Sequence, residues 1–192
     1  MRLAFVAYDG MTALDFIGVY DPLIRLKTMG FVKDLDWEIC ARTDVVVESG
    51  GLAFIPTEVA RPFQGYDVLI VPGGLGSRVL VASSEFVEWL KTGSACKIKA
   101  SVCTGALLLG AAGYLTGRRA TTHPSAFGEL RPYCGCVVEQ RIVEDGDVIT
   151  AGGVTSSIDL GLYLCEKVAG REAREKIRLR IDYPSTNEFC GP

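Results

Sequence analysis

One repeated pattern constrains this fold most: a short apolar segment ends in a turn, and a helical pattern follows. Residues 68–71 stop at Pro-Gly-Gly, and residues 98–102 run directly into Cys-Thr-Gly and an apolar helical stretch. Strands without polar alternation are typical of a parallel sheet that helices cover on both faces. The sequence therefore predicts an α/β sandwich, with a mostly parallel sheet, helices on both faces and a single domain over residues 1–192.

The rest of the chain fits this alternation of strands and helices. A helix over residues 12–29 is expected to kink or restart at Pro22, and Ser84 is expected to cap a helix that runs to Lys91. The other predicted elements are strands at 3–8 and 37–42, hairpins at 45–55 and 137–151 (the second with an Asp-Gly turn), and helices at 155–168 and 171–183 around Gly170.

Composition narrows the classes of partner. Hydrophobic residues make up 48% of the chain and the net charge is −3, so neither nucleic acid nor an anionic membrane is expected as a partner. The N-terminus does not resemble a signal peptide, and no apolar run approaches the ~20 residues of a membrane span. The seven cysteines form an odd number without a disulfide framework, which predicts mostly free thiols and a cytoplasmic protein.

Cys103 is the strongest candidate for a catalytic residue. The run Val-Cys-Thr-Gly-Ala at 102–106 passes from a strand into a helix, which is the layout of a nucleophile elbow. Such a turn lifts the side chain out of the sheet, and the amides and dipole of the following helix favour the thiolate. The alternative is an inert core cysteine. The junction favours a reactive thiol, which we expect to be ionised at the mouth of a cavity.

Glycine pairs and an aspartate follow other strands, and the carboxyl ends of parallel strands meet at one edge of a sheet. Asp15 follows the first strand, Gly73-Gly74 the central strand, and Gly152-Gly153 the last strand of the hairpin. Asp15 is either a helix N-cap or an acid/base group. The Gly74 amide is either an oxyanion donor or part of an ordinary glycine-rich turn.

His123, the single histidine, is compatible with several roles. It could be the base of a Cys/His pair with Cys103, a structural residue, or a residue that lines the substrate site. One histidine with the neighbouring Cys134 and Cys136 does not supply the four ligands of a structural zinc site, so no metal is expected. Gly-Leu-Gly at 74–76 lacks the third glycine of a dinucleotide fingerprint, which argues against a nucleotide site.

Six motifs together carry a family resemblance that covers residues 1–185. The chain resembles the ThiJ/PfpI branch of the class I glutamine-amidotransferase-like superfamily, and within it most resembles the isonitrile hydratase-like proteins. The motifs are Leu-Asp-Phe-Ile-Gly at 14–18, Val-Pro-Gly-Gly at 71–74, Ser-Val-Cys-Thr-Gly-Ala at 101–106, Leu-Gly-Ala-Ala-Gly at 109–113, Arg-Ala-Thr-Thr-His at 119–123 and Gly-Gly-Val-Thr-Ser-Ser-Ile-Asp at 152–159.

This resemblance implies a flavodoxin-like three-layer sandwich that forms a homodimer. It implies that Cys103 is the nucleophile and Asp15 the acid/base, with Thr104 and the Gly74 amide lining the same site. The implied reaction adds water to a small isonitrile through a cysteine thioimidate and needs no cofactor. With the chain ending at Pro192, no helix-turn-helix module is expected. A glyoxalase or deglycase, or a cysteine-based redox sensor, remains the alternative on the same site.

Overall fold

A computed structural model describes residues 1–184, so Cys190 lies outside the described residues. The strands are β1 Arg2–Val6, β2 Asp36–Ala41, β3 Val46–Val47, β4 Ala53–Phe54, β5 Glu58–Val59, β6 Val68–Val71, β7 Ile98–Val102, β8 Arg119–Ala120, β9 Cys136–Val137, β10 Ile142–Asp145 and β11 Val148–Ala151. The helices are α1 Ala13–Thr28, α2 Gly76–Leu80, α3 Ser84–Lys91, α4 Gly105–Ala111, α5 Phe127–Leu130 and α6 Ser156–Arg180.

A seven-stranded sheet in the order β10-β11-β7-β6-β1-β2-β5 forms the centre of the described chain. All neighbours are parallel except β10 and β11, which form the antiparallel hairpin predicted from the Asp-Gly turn. Helices α1 and α6 pack together as one layer, while α4 packs with α2 and α3 on the other side and contacts β6 and β7. The prediction of an α/β sandwich with a mostly parallel sheet is confirmed.

The apolar strands explain why the sheet is central. Every residue of β6 and β11 is buried, as are the last four residues of β1 and of β7. A strand that is apolar on both sides loses contact with water only when both faces of the sheet are covered. Because β1, β6, β7 and β11 run parallel, their carboxyl ends open on one edge, and the loops that follow them form the candidate site.

The structure corrects several expected boundaries. Helix α1 runs unbroken through Pro22. The Gly18 carbonyl, which loses its usual partner at Pro22, lies against Gly161 of α6. Ser83 rather than Ser84 caps α3, because its hydroxyl accepts the Phe86 amide at 3.3 Å. The first strand of the last hairpin begins at residue 142 rather than 137, because residues 136–137 pair with β8.

Other expectations concern helices and cysteines. Gly170 breaks α6 with a φ of 83°, so two helical segments meet there, as predicted. Cys40, Cys96, Cys103, Cys134, Cys136 and Cys165 are free thiols. Among residues 1–184, no helix has the length and apolar character that crossing a membrane requires.

Candidate active site

Cys103 occupies a strained turn between β7 and α4. Its φ is +54°, the left-handed region, which costs a residue with a Cβ roughly 1–2 kcal/mol. Hydrogen bonds hold both sides of the residue. The amide donates to Gly152 O at 2.8 Å and Ala151 O at 3.0 Å, and the carbonyl accepts the Thr122 hydroxyl at 2.7 Å. The predicted elbow is therefore present, and backbone strain of this kind is characteristic of functional sites.

Asp15 lies in the first turn of α1, next to Cys103. The N-cap position of α1 belongs to Thr12, so Asp15 is not the helix cap that the sequence left open. Its Oδ2 accepts the Gly73 amide at 3.1 Å, while Oδ1 is buried and has no hydrogen-bond partner among residues 1–184. A Cβ on Gly73 would lie 2.5 Å from the Thr104 nitrogen, 2.7 Å from Cys103 Cβ and 2.9 Å from Asp15 Oδ2. Glycine at this position is what lets the thiol and the carboxyl approach each other.

Burial changes the acid–base properties of both groups. It raises the pKa of Asp15 from 3.8 to about 7, although contact with the Cys103 thiol and the Gly73 amide partly offsets this effect. Burial, followed by the negative charge of Asp15, raises the pKa of Cys103 to about 12. The direction of this pKa shift is opposite to the one that the elbow predicted, which was a resting thiolate. The start of α4 and the Thr104 amide, which is directed at the sulfur and lowers its pKa, do not offset the loss of water around the thiol.

Gly74 and Thr104 form a hydrogen-bonded group beneath the nucleophile. The Gly74 amide donates to Thr104 Oγ1 at 2.9 Å, so it is not free to face a developing oxyanion, contrary to the expected role. The Ser77 hydroxyl lies 2.7 Å from Gly74 O and 2.9 Å from Thr104 Oγ1. The φ of Gly74 is +130°, and a Cβ there would meet Gly10 O at 2.4 Å. These contacts fix the turn that carries Gly73.

Tyr8 is a residue of this site that the sequence analysis missed. Its hydroxyl donates to Pro72 O at 2.7 Å, and the residue is buried. Burial raises the pKa of Tyr8 well above its usual value, and the charges of Asp15 and Cys103 raise it further. Because Tyr8 ends an apolar strand, the sequence suggested only a core residue. Tyr8 therefore lies close enough to Asp15 and Cys103 for the charges of both to act on its hydroxyl.

His123 makes structural contacts in the turn that follows it. Its Nδ1 accepts the Ser125 amide at 3.2 Å and lies 2.8 Å from the Ser125 hydroxyl, so the imidazole caps the short turn at residues 124–126. Its ring edge lies against Gly153. These contacts favour the structural role over that of a base for Cys103. Among residues 1–184, no three His, Cys, Asp or Glu side chains are grouped as a metal site would require.

Access to the thiol is narrow. Cys103 is 6% exposed and Asp15 1%, so both residues are almost enclosed, and the thiol has a carboxyl as a neighbour. A cavity of about 430 Å³ lies between the ends of β1 and β2 and helix α2, and another of about 330 Å³ lies beside Thr122 and Gly152. Cys103 does not line either cavity, so neither of them places the thiol at its mouth as the sequence predicted.

Comparison with known proteins gives the same family from sequence and from structure. The model of the DJ-1/PfpI family matches residues 1–167. The chain is 34% identical to isonitrile hydratase of Pseudomonas putida over 98% of this chain and 81% of that protein. It is 28% identical to protein DJ-1alpha of Drosophila melanogaster over 88% of this chain and 77% of that protein.

A solved structure extends the match to the whole fold. The crystal structure of a ThiJ/PfpI family protein from Pseudomonas syringae superposes with a TM-score of 0.86 and 31% identity, over 100% of this chain and 78% of that one. The elbow at Cys103, the sheet order and these similarities agree. The chain belongs to the DJ-1/PfpI family.

Proposed function

We propose that this protein hydrates isonitriles to N-substituted formamides, with Cys103 as the nucleophile and Asp15 as the acid and base. The observation that carries the proposal is the buried pair itself: a thiol in a strained elbow beside a carboxyl whose pKa is raised to about 7. Such a carboxyl can accept and return a proton near neutral pH. The similarity to Pseudomonas putida isonitrile hydratase supports the choice of substrate class.

The first step adds the thiol to the isonitrile carbon. Asp15, ionised, takes the thiol proton while the sulfur attacks that carbon, and Asp15 then returns the proton to the same carbon. A carbon–sulfur and a carbon–hydrogen bond form, and the carbon–nitrogen triple bond becomes a double bond. The product is a thioimidate on Cys103. The Thr104 amide stabilises the sulfur as its proton leaves, because it is directed at that atom.

The second step hydrolyses the thioimidate. Asp15 takes a proton from water as the water oxygen attacks the thioimidate carbon, and Asp15 then gives this proton to the nitrogen, which leaves a tetrahedral adduct and an ionised Asp15. The carbon–sulfur bond then breaks, the carbonyl forms, and the hydroxyl proton returns through Asp15 to the sulfur. The N-substituted formamide leaves, and the free thiol and ionised Asp15 are restored.

A comparison of two substrates tests the reaction class. We expect purified protein to convert a simple alkyl isonitrile to its formamide. We expect it to act on methylglyoxal at least roughly 100-fold less efficiently, because the proposed reaction delivers the Asp15 proton to the carbon that the sulfur attacks, as an isonitrile requires. Formamide is followed by chromatography and methylglyoxal consumption by absorbance. Preference for methylglyoxal would replace the proposal with the glyoxalase or deglycase alternative.

The environment of the thiol does not favour the redox-sensor alternative. Sensor cysteines are exposed and have a low pKa, because the thiolate is the form that peroxide oxidises. Cys103 is nearly buried and its pKa is raised to about 12. These properties fit a nucleophile that becomes an anion only when a substrate is in place.

We also propose that the protein acts as a homodimer. Most exposed large apolar side chains lie on three neighbouring segments around the site: α1, the β3–β4 hairpin and the start of α2. They are Leu14, Ile17, Val45, Val47, Leu52, Ile55, Leu75 and Val79. We call these residues the apolar rim. Backbone hydrogen bonds join the hairpin and α2 to Gly10 and Met11, which lead into α1, so the three segments are neighbours. An apolar surface of this kind is typical of a protein interface.

Two matched charge substitutions test the dimer. Ile55 lies on the rim and is 77% exposed, whereas Leu179, 66% exposed, lies on α6 away from it. We expect the wild-type protein to have twice the chain mass by light scattering. Ile55→Asp is expected to have the chain mass, because the interface would bury an unpaired charge, and Leu179→Asp to remain dimeric. A wild-type monomer, or a dimeric Ile55→Asp protein, would contradict the proposal.

A further inference from the structure

We propose that Thr122 is a positioning residue that holds Cys103 in its reactive conformation through the hydrogen bond from its hydroxyl to the Cys103 carbonyl. The bond is 2.7 Å long and both residues are buried. Thr122 touches neither the sulfur nor Asp15 through this bond, so it acts on the nucleophile only through the backbone. The proposal rests on Cys103 being the nucleophile of the proposed function.

The left-handed conformation of Cys103 makes this bond important. A residue with a Cβ keeps a φ of +54° only when its surroundings fix both peptide planes. The strand side is fixed by the Cys103 amide, which donates to the carbonyls of Ala151 and Gly152. On the helix side, the carbonyl has the Thr122 hydroxyl and a longer contact, at 3.4 Å, with the Ala106 amide. Without the hydroxyl, the peptide after Cys103 can rotate towards an unstrained conformation.

Rotation of that peptide would move the sulfur and the Thr104 amide together. The Thr104 nitrogen belongs to the same peptide plane, and it lies beside Gly73 and the Asp15 carboxyl. The contact between thiol and carboxyl therefore depends on the carbonyl that Thr122 holds. The charged and titratable groups whose fields reach the sulfur are Asp15 on α1, Tyr8 after β1 and Arg78 on α2, and none of them contacts Thr122 by a hydrogen bond.

The neighbouring residue offers a matched control. Thr121 is as buried as Thr122, but its hydroxyl has no hydrogen-bond partner within the described structure. Thr121→Val and Thr122→Val thus make the same chemical change at adjacent buried positions. Only the second removes a bond to the nucleophile. Replacing an unpartnered buried hydroxyl with a methyl group is close to neutral, whereas removing the Thr122 hydroxyl leaves the Cys103 carbonyl with only the longer contact to the Ala106 amide.

The test measures alkylation of Cys103 by iodoacetamide between pH 5 and 9, located by peptide mass and expressed per folded molecule. In the wild-type protein we expect the rate to rise as Asp15 ionises. In Thr122→Val we expect a roughly tenfold lower rate at pH 8 and a rise displaced to higher pH, because the thiol loses its acceptor. Thr122→Ser should restore both features, and Thr121→Val should match the wild-type protein.

If Thr122 had a purely structural role, Thr122→Val would lower the melting temperature, but the pH dependence of Cys103 alkylation in the molecules that remain folded would not change. The proposal is overturned by a folded Thr122→Val protein with the wild-type profile, or by an equal displacement in Thr121→Val. If Thr122→Val does not fold, Thr122→Ala replaces it, and failure of both overturns the proposal, because a positioning residue must leave the fold intact. Alkylation needs no isonitrile, so failure of the proposed reaction is detected separately.

Discussion

Replacing Cys103 with alanine is expected to abolish formamide production, lowering kcat/KM for an isonitrile at least roughly 1,000-fold. The reason is geometric as well as chemical. Among the six described thiols, Cys103 is the one that the β7–α4 elbow places beside a carboxyl, and the covalent step needs a sulfur at that point. Water alone cannot form the thioimidate. The measurement is the rate of formamide release, compared with the rate in protein-free buffer.

Two controls separate loss of the nucleophile from loss of the fold. Cys96→Ala removes another buried thiol whose pKa is also raised by burial. Cys96 precedes β7 and its thiol donates to Phe63 O, whereas Cys103 follows the opposite end of that strand. The Cys96→Ala protein should retain turnover. The Cys103→Ala protein should have the wild-type circular dichroism spectrum. Wild-type turnover in Cys103→Ala would exclude covalent catalysis, whatever the substrate.

The strands and turns that depend on a local residue pattern could be predicted from the sequence. The apolar runs in β1 and β6, together with the strand-to-turn pattern of β7, predicted a covered parallel sheet, and the residues that follow each strand predicted one functional edge. Asp15, Gly73 and Cys103 do meet there, since the carboxyl ends of parallel strands are adjacent whatever their separation in sequence. The position of Cys103 between a strand and a helix could be predicted from residues 102–106 alone, because that pattern is local.

Properties that depend on distant side chains could not be predicted. Whether the Gly74 amide faces a substrate depends on the Thr104 hydroxyl, thirty positions away, which takes the amide instead. The pKa of Cys103 depends on how much water its neighbours exclude, and sequence gave only the opposing effect of the helix start. Ser83 and Ser84 are equivalent as N-cap candidates by residue type, so only the backbone conformation distinguishes them.

Replacing Asp15 with asparagine is expected to have opposite effects on turnover and on stability. Turnover should fall roughly 100- to 10,000-fold, the range attributed to a positioned acid/base group. In the wild-type protein, kcat/KM should rise about tenfold per pH unit below pH 7 and level off above it, because the ionised carboxyl accepts the thiol proton and its pKa is about 7. The residual rate of the variant should lack this inflection.

The sign of the stability effect follows from the raised pKa. Between pH 3.8 and about 7 the folded protein holds a proton on Asp15 that the unfolded chain has released. Stability from this group is therefore present at low pH and is lost as the pH rises through 7. Asparagine cannot ionise, so the variant should gain up to about 4 kcal/mol in the free energy of unfolding at pH 8 and almost nothing at pH 4.

Denaturant unfolding at the two pH values measures this difference, and Asp21→Asn on the same helix is the control. Asp21 forms an ion pair with Arg25 on the partly exposed side of α1, so its removal should leave turnover unchanged and should not raise the free energy of unfolding at pH 8. An Asp15→Asn protein that is destabilised at pH 8 would make Asp15 a structural residue, and loss of turnover would then carry no mechanistic meaning. A stabilised but inactive variant is the result that only a buried proton-transfer group produces, because its charge is unfavourable for folding and necessary for the reaction.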